Sequence, residues 1–157
     1  MHAVPRSPAV LVLLALAIGC TYDATEPLSD GPPAVAGRYV LERAEGQVAP
    51  ALILSRADPR SGLPVHVFVT HDTVTIDSAG RYDQRALLFV TLGDQTVGTM
   101  RWADHGNVML DGSALAFVSD YIEGVTFAGR LDGDAHLDIT QDLTGEATAT
   151  FVLARTP

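Results

Sequence analysis

Three histidines in this 157-residue chain stand beside carboxylates, where metal or acid–base chemistry would start. The pairs are His71-Asp72, Asp104-His105 and His136-Leu137-Asp138. His136 and Asp138 are two apart on an expected strand, so they share a face and could chelate. A zinc site needs three or four ligands converging at about 2.0–2.3 Å. No third ligand stands at a fitting spacing, so these pairs read as solvated polar faces, with no metal. Asp132-Gly133-Asp134 opens like a calcium loop. The EF-hand pattern then wants Asp or Asn at its fifth place, Gly at its sixth and Glu at its twelfth. The chain offers His136, Leu137 and Leu143 there, and Asp132-Gly133 reads as a hairpin turn instead.

Hydrolytic chemistry has as little support. Ser61, Ser78, Ser113 and Ser119 lie outside any Gly-x-Ser-x-Gly elbow. No Gly-rich phosphate loop precedes a helix. Asp120 and Glu123 would serve a glycosidase only if a cleft set two carboxyls at the right separation. The expectation is no catalytic residue, no enzyme and no cofactor. Aromatic residues remain. Tyr39, Phe68, Tyr82, Phe89, Trp102, Tyr121, Phe127 and Phe151 lie on or beside expected strands. Most such residues build core. Trp102 and Tyr121 each border a polar turn and are the candidates for a ligand pocket.

The elements that must position them are strands. Gly37–Arg43 opens the first and Ala51–Leu54 is a short second. Val65, Val67 and Val69 alternate with His66 and Phe68, and Thr73–Asp77 alternates again before the turn Ser78-Ala79-Gly80. Tyr82–Leu92 and Thr96–Trp102 follow, then an expected turn Asp104-His105-Gly106-Asn107. Val108–Leu110, Ala114–Val118, Val125–Leu131, Leu137–Thr140 and Ala147–Ala154 complete the set. No segment keeps a helical period over three turns. Eight to ten short strands with regular turns predict an all-β, antiparallel up-and-down barrel.

The single cysteine, Cys20, sits directly behind the apolar run from Pro8 to Gly19. That run follows Arg6 and is too short to span a bilayer, which needs about 20 apolar residues. It reads as a cleaved signal. The ending Ala17-Ile18-Gly19-Cys20 resembles the bacterial lipoprotein signal. The resemblance implies lipidation of Cys20 and a membrane anchor of two or more acyl chains, palmitate among them. Thr21 in place of Asp implies the outer membrane, facing the periplasm. Three regions are therefore expected: a signal peptide at 1–19, a Pro-rich flexible tether at 20–35 and a barrel domain at 36–157. The tether spans on the order of 50 Å when extended.

All ten basic residues are arginines, and they face nineteen acids for a formal net charge of −9. Loss of Arg6 with the signal makes the remainder one unit more acidic. Nucleic acid is excluded as a partner on this balance, because its affinity comes from neutralised phosphates.

Gly37-Arg38-Tyr39-Val40-Leu41, the bend Glu45-Gly46-Gln47-Val48-Ala49-Pro50 and the final Phe151-Val152-Leu153-Ala154-Arg155 resemble small bacterial lipoproteins with a lipocalin-like barrel. The resemblance implies that Tyr39 and Arg155 form a barrel-closing pair, with Tyr where the family has Trp. It implies a binding module for a small apolar or amphipathic molecule. The alternative is a non-catalytic assembly lipoprotein that contacts another envelope component. The sequence leaves ligand, protein partner and oligomeric state open.

Overall fold

The computed structural model describes residues 35–111, 114–121, 126–133, 135–143 and 147–157. The expected signal, Cys20 and the tether up to residue 34 lie outside the described residues, as do the candidate serine Ser113 and the carboxylate Glu123. Ten strands carry the fold: β1 (Gly37–Ala44), β2 (Gln47–Val48), β3 (Ala51–Ala57), β4 (Pro64–Ile76), β5 (Arg81–Leu92), β6 (Gln95–Asp111), β7 (Ala114–Ser119), β8 (Thr126–Asp132), β9 (His136–Asp142) and β10 (Thr148–Thr156). From β4 to β10 each strand pairs antiparallel with the next, and β10 returns to β1. β1 then pairs with the end of β4, Gly37 opposite Ile76 and Val40 opposite Thr73, which closes an eight-stranded up-and-down barrel. β2 and β3 are additions that extend β1 and β4.

Closure follows from the period-2 pattern. Val74 and Ile76, Leu115 and Phe117, Leu137 and Ile139, and Phe151 and Leu153 are alternate residues, all buried. They fill the barrel with their own side chains, as expected for about eight strands. At one end Tyr39 and Val35 cap this core. The Tyr39 hydroxyl donates to the Val35 carbonyl at 2.8 Å, and Val35 is itself buried.

Two expected elements differ. Val65–Val69 and Thr73–Asp77 form one strand, β4, carried through a bulge between Val69 and His71. The turn expected at 104–107 is strand, inside the 17-residue β6. Polar residues and a glycine there suggested a turn. Asp104 instead points into the barrel and finds hydroxyl donors, and Gly106 is there because two strands come very close. A Cβ on Gly106 would sit 1.9 Å from the Val118 carbonyl oxygen. The Asp132-Gly133 hairpin is present, with Gly133 at φ 62°.

Strand lengths are unequal. β7 pairs only with Gly106–Asp111 of β6, whereas β5 pairs along its whole length from Asn107 back to Gln95. The sheet β3–β6 therefore runs on beyond the end of β7 at Ser119.

Candidate functional site

Where β7 stops and β6 continues, the wall of the barrel has a step. An open groove of ≈ 450 Å³ lies there, lined by residues that include Leu87, Arg101, Trp102, Ala103, His105 and Tyr121. Register explains its shape. Arg85 opposes Ala103 and Leu87 opposes Arg101 on the outer face of β5 and β6. Ala103 is the small residue of that patch, so the floor dips between Arg101 and His105. Tyr121 follows β7, is 65% exposed, and sets its ring edge-on to His105 with centroids 4.3 Å apart. Arg85 is held by Asp83, with Nε 2.7 Å from Oδ1. Arg101 forms no ion pair among the described residues, which leaves a cation at the rim.

Both pocket candidates border this groove, from different faces. Tyr121 stands outside the barrel. Trp102 lies on the inward parity of β6 and packs edge-on against Phe127, with centroids 6.2 Å apart. The other named pair is also brought together. Tyr39 and Arg155 are direct partners across β1 and β10, and the guanidinium carbon lies 6.0 Å from the Tyr39 ring centre. Arg155 also donates to the Ala36 carbonyl. A cation over an aromatic face at that distance is attracted by the ring quadrupole.

Behind the groove lies a polar network that sequence reasoning missed. The Tyr82 hydroxyl donates to Asp104 Oδ2 at 2.7 Å, and the Ser119 hydroxyl donates to Asp104 Oδ1 at 2.6 Å. Ser119 Oγ in turn accepts from the Tyr121 amide at 3.1 Å. The chain of bonds thus joins a core tyrosine to the groove tyrosine. One strand further, Gln84 Nε2 donates to Asp72 Oδ2 at 2.8 Å. Asp72 Oδ1 has no hydrogen-bond partner among the described residues. Burial is the main reason the Asp72 carboxyl is pushed up to about 7, against the smaller opposing effect of the Gln84 bond. Burial also holds the Tyr82 proton well above the usual phenol range, and the Asp104 bond adds to this. A signal for these residues did exist: Asp72 shares the parity of Val74 and Ile76.

The histidine–carboxylate neighbours in sequence do not become partners in space. Asp72 turns inward while His71 is exposed and bonds Thr73 on its own strand at 3.0 Å. Asp104 is buried, and His105 faces Asp120 instead, at 3.7 Å. His136 lies 3.3 Å from Glu42 of β1. Asp120 is held by Arg81 at 2.6 Å. Among the described residues no group of three His, Cys, Asp or Glu converges on one point. Ser119 gives its proton to a carboxylate and accepts from a backbone amide, which positions it as a strut.

Comparison with family models, with curated proteins and with solved structures finds no match to this chain.

Proposed function

We propose that this chain is a lipid-anchored envelope lipoprotein with a lipocalin-like barrel, acylated at Cys20 and held in the outer membrane facing the periplasm. Its barrel is a non-catalytic binding module for a small amphipathic molecule. The observation that carries the binding role is the step at the end of β7, an open concavity with an apolar floor and, at its rim, an arginine without an ion pair among the described residues. Ligand sites are mostly apolar concavities with a few placed polar groups. An apolar body fits over Ala103 and Leu87, beside the Tyr121 ring, with an acidic head on Arg101.

The chain has one tryptophan, Trp102, and it borders the groove, so its fluorescence reports occupancy. Dodecanoate titrated into the full chain carrying Cys20→Ala is expected to shift Trp102 emission saturably. Arg101→Glu and Tyr121→Ala should each weaken that binding about tenfold, the loss of one charged or stacked contact. A flat titration, or one that neither variant changes, rules out this site. The anchor is tested separately. In cells, the parent chain fractionates with membranes and carries the mass gain of its acyl chains, and Cys20→Ala lacks that gain; the same mass gain in the variant refutes acylation there.

A second reading, an assembly lipoprotein, is favoured by a different feature. Val97 and Met100 on the projecting part of β6 are 59% and 47% exposed.

A further inference from the structure

β6 continues past β7 with one edge open. Residues 94–101 are all exposed, and among the described residues no strand pairs with Gln95–Arg101 on the side away from β5. The direction of the backbone groups on that edge can be read from two bonds. The His105 carbonyl accepts from Asp120 on the β7 side, while the Val108 amide donates to Gly80 on the β5 side. Alternate residues of a strand point opposite ways. Thr99, Arg101 and Ala103 therefore aim their N–H and C=O groups at the open side, with His105. The register slips by one residue between Gly98, opposite Val90, and Thr96, opposite Thr91. The bulge resets the alternation, so Thr96 also faces the open side, and Asp94 lies in the turn that leads into β6.

Such an edge is a template for another strand unless Pro, Lys or a covering segment blocks it. Residues 94–101 read Asp-Gln-Thr-Val-Gly-Thr-Met-Arg, with neither Pro nor Lys. We infer that this edge pairs antiparallel with the same edge of a second copy of the chain, about a two-fold axis between Val97 and Gly98. Four observations select that partner and register. Thr96 falls opposite Thr99, and both present their backbone groups outward. The bulge meets its own image, so the irregularity that would spoil pairing with a regular strand is matched. Asp94, in the turn just before β6, comes level with Arg101 of the other copy, twice, and neither forms an ion pair among the described residues. Met100, with its exposed side chain, falls opposite Gln95 on the other face. A symmetric interface needs one self-complementary patch, and this segment carries opposite charges at its two ends.

Sedimentation equilibrium on the full chain carrying Cys20→Ala, from micromolar to millimolar, tests it. The expected result is a reversible dimer of the 16.6 kDa chain. Thr99→Pro should abolish the dimer while leaving circular dichroism and the thermal midpoint of the monomer in place, since its amide faces away from β5. Asp94→Arg and Arg101→Asp should each weaken dimerisation about tenfold through facing like charges, and the double variant should restore it. A monomer throughout the range overturns the inference. So does a dimer that Thr99→Pro leaves intact, or single charge swaps that the double variant does not rescue.

Discussion

Tyr82 and Asp104 face each other inside the barrel wall, hydroxyl to carboxylate, at 2.7 Å. Tyr82 is 3% exposed and Asp104 4%, so neither group has water as an alternative partner. The bond stands directly behind the groove and, through Ser119, fixes the amide of Tyr121.

Removing the hydroxyl leaves one carboxylate oxygen short of a donor in a buried setting. Tyr82→Phe is expected to cost about 1–3 kcal/mol. Urea unfolding followed by Trp102 emission measures it. A stability unchanged within a few tenths of a kcal/mol would show that the hydroxyl is dispensable.

Asp72 gives a pH dependence of known sign. Its carboxyl titrates at about 7 in the fold against 3.8 ordinarily, so the folded protein holds the proton more tightly than the unfolded chain. The stability this group contributes is full below pH 3.8 and is lost as pH rises through about 7. The shift corresponds to a loss on the order of 4 kcal/mol. Asp72→Asn keeps the shape and removes the titration. The difference in unfolding free energy, variant minus parent, should grow from pH 4 to pH 8 and then level off. A difference independent of pH over that interval contradicts the assignment.

Two glycines differ in what surrounds them. A Cβ on Gly106 would meet the Val118 carbonyl oxygen at 1.9 Å, and this is backbone that cannot step aside. A Cβ on Gly37 would meet Arg155 Nε at 2.8 Å, the far end of a flexible side chain. Overpacking of a rigid site costs about 1–3 kcal/mol or more. Gly106→Ala should therefore lower the thermal midpoint far more than Gly37→Ala. Equal effects would mean that β6 and β7 can move apart cheaply.

Much of the fold was legible because burial inside a small barrel imposes a period of two. That period marks Val74 and Ile76, Leu137 and Ile139, and Phe151 and Leu153 as inward residues by their alternation alone. It fails at Asp104–Asn107, where a polar inward residue and a close-packed glycine mimic turn chemistry. It also misleads at the histidines. Adjacent residues on a strand point to opposite faces, so His71-Asp72 and Asp104-His105 could never act as pairs. The site was half legible. Trp102 and Tyr121 stand out as aromatics beside polar segments, although the one next to Trp102 is strand and not the expected turn. The groove they border exists only because β7 pairs no further than Gly106, while β6 begins at Gln95.

What the sequence determined by itself is the all-β class and the residues that fill the core, since both follow from local alternation. Tyr39 and Arg155 were readable as a pair only through resemblance to a family pattern at the two ends of the domain. Only the tertiary structure decided which strands overlap and by how much. Register is a long-range property, set by how whole strands align when the core closes. That alignment makes the step that forms the groove, leaves the edge of β6 unpaired among the described residues, and carries Asp72 and Asp104 inward to donors far away in the chain.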